Sequence, residues 1–169
     1  MAACREVKSF ISNSARAADI DSVLATVLCI AAMPKDEGAN TRGFNVLAKR
    51  EVEWFKGRVS ESNGSEFCAI FDGPIRAIRC ARAIRDSALE VGIETKAGLH
   101  TGLCEMRGDV AAGAAVDISK RVADRAAAGE VLLTNTVTDL VSGSEIIFSN
   151  RGACSFEGLL SDCRLFATV

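Results

Sequence analysis

Apolar and polar positions along the chain change period repeatedly, and each period predicts an element. DSVLATVLCIAAM, residues 21–33, is an almost unbroken apolar run and reads as a buried strand. Pro34 opens a turn over residues 34–38, after which Asn40 or Thr41 is placed to cap a helix running to about Lys56. Phe44, Leu47, Ala48, Val52 and Phe55 recur there at helical spacing, and Gly57 is the expected stop. Residues 58–62 and 65–71 read as two strands around Asn63-Gly64, a dipeptide favoured in hairpin turns whose two central residues take positive φ. Asp72 and Pro74 start a second helix over residues 75–91, closed by Gly92. A strand over 94–106 is expected to be interrupted at Gly98 and Gly102 of GLHTG. A third helix over 111–127 stops at Gly129, EVLLTN is the next strand, residues 136–141 form a short helix, and a closing hairpin follows. The order β-α-β-β-α-β-α-β and then more strands predicts an α/β fold, with a sheet on one face and helices on the other. Residues 1–20, polar and rich in small side chains, read as an N-terminal arm, and residues 21–169 as one domain.

Composition narrows the function classes. A chain of 169 residues that is 49% hydrophobic and 25% charged can bury one sizeable core but is short for two. A formal charge of -2 and a pI near 5.5 give no global attraction to phosphate backbones, so nucleic acid is not an expected partner. The longest apolar run falls well short of the roughly 20 residues that cross a bilayer, so no membrane partner is expected. MAACREVKSF also lacks the apolar core of an export signal. Seven cysteines (Cys4, Cys29, Cys68, Cys80, Cys104, Cys154 and Cys163), odd in number and without CxxC spacing, read as reduced core residues of a cytoplasmic protein. His100, the only histidine, reads as a scaffold residue. Arg76, Arg79, Arg82 and Arg85 recur every third residue and read as a solvated helix face. No Walker-type loop, zinc spacing or nucleophile-base pair is present.

With the elements placed, a series of stretches carries a resemblance. DSVLATVL, NGSEFCAIFDGPIRAIRCARAIRD, KAGLHTG, GDVAAGAAVDISKRVADRAAAGEVLLTNTVTDLVSGS, the Phe148-x-x-Arg151-Gly152 pattern and CRLFATV follow in order. Together they resemble the class III nucleotidyl cyclase domains, the adenylate and guanylate cyclases, in their bacterial form, from about Asp21 to Val169. The resemblance implies an α/β (α+β) ferredoxin-like domain, a central, mostly antiparallel sheet with helices packed on it. It also implies head-to-tail dimers with nucleotide sites in the interface. The chemistry it implies is attack of a ribose 3′-hydroxyl on the α-phosphate with loss of pyrophosphate, driven by two metal ions and fixed positive charge.

Carried over position by position, most of the required groups are replaced. The first metal aspartate falls on Ala31 and the second on Ser65. A methyl group cannot ligate Mg²⁺, and a lone hydroxyl is a poor substitute for a bridging carboxylate. Glu66, the next residue along its strand, is expected to point to the opposite face. The purine-reading lysine becomes Glu61, the other purine position Val110, the ribose asparagine Asp117 and the phosphate lysine Glu157. Arg121, at the transition-state position, is the one retained catalytic candidate, and its i+4 spacing from Asp117 predicts an ion pair along the helix. Glu61, Asp117 and Glu157 place negative charge where a polyanionic nucleotide would lie; a unit pair about 4 Å apart is worth on the order of 4 kcal/mol at an effective dielectric of about 20. AAMPKDEG is also shorter than the corresponding family segment and lacks its glycine-serine turn.

The expectation is a cyclase-like domain that has lost catalysis and acts as a dimerising or regulatory module, with no metal site and no cofactor. It would form a head-to-tail homodimer, or a heterodimer in which it offers Arg121 to a cyclase-like partner. Two readings stand beside it. One is a weakly active nucleotidyl cyclase that converts ATP or GTP to cyclic nucleotide and requires Mg²⁺ or Mn²⁺. The other is a pocket around Ala31, Ser65 and Val110 that takes an uncharged or cationic small molecule.

Overall fold

The computed structural model describes residues 21–34, 41–157 and 160–169. Its strands are β1 (Asp21–Pro34), β2 (Arg58–Asn63), β3 (Glu66–Phe71), β4 (Ile93–Arg107), β5 (Val110–Ala112), β6 (Val131–Thr134), β7 (Phe148–Phe156) and β8 (Leu160–Thr168). Its helices are α1 (Thr41–Trp54), α2 (Pro74–Glu90), α3 (Ala114–Arg125) and the short α4 (Asn135–Leu140). The strands form one sheet in the order β2-β3-β1-β4-β6-β8-β7, with β5 paired to the end of β4. Only β4 and β6 run parallel; the other pairs are antiparallel. The expected arm over 1–20, the turn over 35–38 and the Asn40 cap lie outside the described residues.

The central strand is apolar at both parities because both of its faces are covered. Leu28, Ile30 and Ala32 pack under Phe44, Ala48 and Val52 of α1 and Ala77, Ile78 and Ile84 of α2. The alternate residues Ala25, Val27 and Cys29 meet Ala115 and Val116 of α3. Helices therefore lie on both faces of the sheet, not on one as the element order suggested. Beyond these, Ile118, Val122 and Ala126 bury Leu132, Leu165 and Ala167 of β6 and β8.

Several local expectations are corrected. Lys56, at φ 63°, makes the left-handed turn that ends α1. Gly57 is required for space, since a Cβ there would fall on the ring of Phe71. Asn63 pairs with Glu66, so Gly64 and Ser65 are the central turn residues and only Gly64 (φ 59°) takes positive φ. Strand β4 runs unbroken through Gly98 and Gly102. Gly98 serves the close approach of α3, because a Cβ there would lie 2.5 Å from the Ser119 carbonyl oxygen. Residues 110–112 are the strand β5, so α3 begins later than its pattern implied. Four cysteines are paired as disulfides, Cys29 with Cys68 and Cys154 with Cys163, in place of the all-reduced reading, while Cys80 and Cys104 are buried thiols. Among the described residues no helix is long and apolar enough to cross a membrane.

Candidate functional site

Directly opposed residues of antiparallel strands point to one face, so the register fixes what surrounds Ala31. Glu66 lies opposite Ala31 on one side and Lys96 on the other, and Asn63 lies beyond Glu66. One row deeper come Glu61, Cys68, Cys29 and Gly98. Both rows face α3. Glu66 therefore shares the face of Ala31, which corrects the expectation that it points away; Ser65 belongs to the turn and sets no alternation with it.

Helix α3 closes this corner into a small cavity of about 140 Å³ lined by Cys29, Ala31, Glu66, Cys68, Lys120 and Asp124, with Ile30, Phe67 and Ala123. Of the expected pocket residues Ala31, Ser65 and Val110, only Ala31 lines this cavity. The Lys120 Nζ donates to Glu61 Oε2 at 2.8 Å, joining α3 to β2 across 59 positions of sequence. Glu61, read from the sequence as an uncompensated negative charge, is neutralised in this way. Both partners are substantially exposed, so the bridge contributes at most about 1 kcal/mol.

The remaining positions are distributed around this corner. Val110 is 54% exposed on β5, and the Ala111 amide donates to Ser60 Oγ at 2.8 Å, which docks β5 beside the Glu61 strand. Asp117 and Arg121 are exposed on α3 and make no ion pair with each other among the described residues, so the i+4 pairing expected of them is not formed. Two solvated side chains gain too little from one exposed contact to offset the entropy of holding it. Glu157 is exposed just after β7. His100 is buried, with Nδ1 2.7 Å from Thr134 Oγ1, and burial lowers its pKa; it is a scaffold residue, as expected. Arg76 and Arg79 are exposed, whereas Arg82 is half-buried and Arg85 pairs with its neighbour Asp86 at 2.9 Å.

The donor set does not suit a divalent cation. Among the described residues no group of three or more histidine, cysteine, aspartate or glutamate side chains is placed to hold a metal ion. The cavity beside the Ala31 methyl is lined by two carboxylates, from Glu66 and Asp124, and one ammonium, from Lys120. The Ser65 carbonyl oxygen is already used, accepting the Ala32 amide at 2.8 Å. Hard cations take six or more oxygen ligands, and the Lys120 ammonium, paired with Glu61, lines the same cavity. Lys120 and Asp124 were missed in the sequence although their i, i+4 spacing places them on one stripe; only the fold shows which stripe overlies Ala31.

No family model matches the chain, and no curated protein matches it in sequence. Solved structures do. The adenylyl cyclase CyaB from P. aeruginosa superposes with a TM-score of 0.79 at 15% identity, over 89% of this chain and 95% of that one. The fold is that of a class III nucleotidyl cyclase catalytic domain. An adenylate/guanylate cyclase/hydrolase from Silicibacter pomeroyi gives 0.77 at 17% identity, over 89% of this chain and 98% of that one. The non-canonical dimeric guanylyl cyclase domain of the RhoGC fusion protein of the aquatic fungus Blastocladiella emersonii gives 0.74 at 12% identity, over 88% and 98%. The fold is thus cyclase-like, and Glu66 and Lys96 stand opposite Ala31 in the register.

Proposed function

We propose that this chain is a nucleotidyl cyclase-like domain without cyclase activity that serves as a dimerising, regulatory module. One observation carries the reading: the position expected to hold the first metal carboxylate is a methyl group, with Glu66 and Lys96 opposite it in the register and Lys120 lining the same cavity. Without a bound cation nothing neutralises the charge that develops on a transferring phosphoryl group, and fixed positive charge is the main protein contribution to that chemistry. The non-canonical dimer seen for the B. emersonii domain, whose double mutant is monomeric, is the support for assembly through this fold. Purified protein incubated with ATP or GTP and Mn²⁺ is expected to yield no cyclic nucleotide by chromatography. Product formation that disappears in Arg121→Ala would overturn the reading.

A second reading rests on Arg121, which is exposed and carries no ion pair among the described residues. It is free to complete a composite site with a partner that supplies the metal carboxylates. Sedimentation velocity of the chain, alone and mixed with an active cyclase domain, separates self-association from mixed dimers. Cyclic nucleotide yield of the mixture then reports whether Arg121 is used.

A further inference from the structure

We propose that Cys29 and Cys68 form a reversible dithiol–disulfide couple served by the cavity beside Ala31, making this corner a thiol-oxidation site. The proposal does not depend on whether the domain has lost cyclase activity. Its basis is geometric. Cys29 and Cys68 are directly opposed on β1 and β3, with Cα atoms 4.3 Å apart. That separation is close to the roughly 4.5 Å of the antiparallel pair type whose side chains approach most closely. The sheet holds both sulfurs in place on either side of the reaction, so the bond can open and close without moving a strand.

Access through a cavity distinguishes this pair from the buried thiols Cys80 and Cys104. Both residues are 3% exposed, yet both line the cavity of about 140 Å³ that also reaches Ala31, Lys120 and Asp124. With a water occupying about 30 Å³ of liquid, that space admits a peroxide or the reacting end of a small thiol. The Lys120 ammonium lines the same cavity, and its partner Glu61 stands directly opposite Cys68 on β2. A lysine beside a thiol favours the reactive thiolate, while the Glu61, Glu66 and Asp124 carboxylates oppose it. Cys80 and Cys104 are buried and do not line the cavity.

With hydrogen peroxide as oxidant the chemistry balances. One thiolate attacks a peroxide oxygen, breaking the O–O bond and giving a sulfenic acid and hydroxide, which takes up a proton to become water. The second thiolate then displaces hydroxide from that sulfur, which leaves as a second water once protonated. Two electrons pass from the sulfurs to the peroxide. In reverse, a dithiol reductant takes the bond apart by exchange and becomes the disulfide itself. The consequence falls on the corner already described, because the bond ties β1, which carries Ala31, to β3, which carries Glu66.

The test uses the full chain with Cys154→Ser and Cys163→Ser, which leaves this pair as the only bonded one among the described residues. Folded protein, first reduced with dithiothreitol and freed of it, is exposed to hydrogen peroxide and then to dithiothreitol again, free thiols are alkylated at intervals, and linked peptides are mapped by mass spectrometry. Peroxide is expected to join the Cys29 and Cys68 peptides with loss of two hydrogens and to raise the melting temperature. Dithiothreitol is expected to reverse both changes without denaturant. Ala31→Leu, which narrows the cavity at a half-exposed position, is expected to slow both steps about tenfold, since exchange rates depend on access. The same chain with Ala31 intact, assayed in sub-denaturing urea, should show an unchanged rate. A bond that never forms, that joins other cysteines, that opens only when urea unfolds the chain, or that ignores Ala31→Leu overturns the proposal.

Discussion

Gly98→Ala measures how closely α3 is seated on the sheet, and therefore how firmly the corner around Ala31 is built. The added Cβ would sit 2.5 Å from the Ser119 carbonyl oxygen and 2.9 Å from Ala123 Cα, both backbone atoms of α3 with no rotamer to yield. Ordinary contact begins near 3.5 Å, so the helix must withdraw by about 1 Å. That movement carries Ser119 Oγ away from the two carbonyl oxygens it now bridges, Val27 O at 2.9 Å and Gly98 O at 2.8 Å. Overpacking of this kind costs about 1–3 kcal/mol. Loss of the buried hydroxyl's bond adds about 1–2 kcal/mol, for a total of about 2–5 kcal/mol. In a domain of this length each kcal/mol lowers Tm by roughly 2–4 °C, so a fall of about 10 °C is expected. Urea denaturation followed by far-ultraviolet circular dichroism is the suitable assay, because Trp54 is 75% exposed and a weak reporter of the core. Ser119→Ala isolates the hydrogen-bond share and should cost about 1–2 kcal/mol. A Gly98→Ala protein that unfolds within about 0.5 kcal/mol of the parent, at unchanged m-value, would refute the packing argument.

Three further outcomes are expected. Burial holds His100 below the ordinary imidazole range, so the unfolded chain takes up the proton first; the stability this neutral histidine permits is intact above about pH 6.5 and is lost as pH falls below it. His100→Gln should flatten that part of the profile, read as Tm between about pH 5 and 8. Arg121→Ala and Asp117→Ala should each leave Tm within about 1 °C of the parent, since neither side chain is ion-paired among the described residues; a clear drop in either would restore the helix ion pair. A double-mutant cycle on Lys120→Ala and Glu61→Ala should give a coupling of about 0.2–1 kcal/mol that fades with added salt, and a salt-independent coupling would place the bridge in a drier setting than its exposure indicates.

Elements with an unambiguous period were legible in the sequence. The run at 21–33, the Pro74 start and Gly92 stop of α2, and the stripe of Phe44, Ala48 and Val52 all appear where the pattern put them. The misses come from forces that act across the fold. Gly57, Gly98 and Gly102 were read as local punctuation, whereas Gly57 and Gly98 answer to Phe71 and to α3 respectively, and their neighbours in space lie far off in sequence. Strand β5 has three residues, too few for any periodicity, and exists because the end of β4 offers it an edge. At the site, Ala31 and Glu61 could be placed by resemblance, but the company they keep could not. That Lys96 and Glu66 flank Ala31 follows from register, and that Lys120 reaches Glu61 follows from the docking of α3. Register was also the reason for the error over Glu66, whose face depends on where the turn begins. The cysteines were misread for a related cause: spacing says nothing about two residues opposed across neighbouring strands.

Whether Ala31, Ser65 and their neighbours hold a divalent ion is answered by titrating Mn²⁺ into the protein and following the free ion's electron paramagnetic resonance signal, with ATP or GTP alone as the blank. The fold and its side chains predict that the native chain removes no Mn²⁺ beyond the blank, and that replacing both positions, Ala31→Asp with Ser65→Asp, introduces uptake. Stoichiometric loss of the free signal with the native chain would contradict the reading of this domain as a cyclase fold without its metal chemistry.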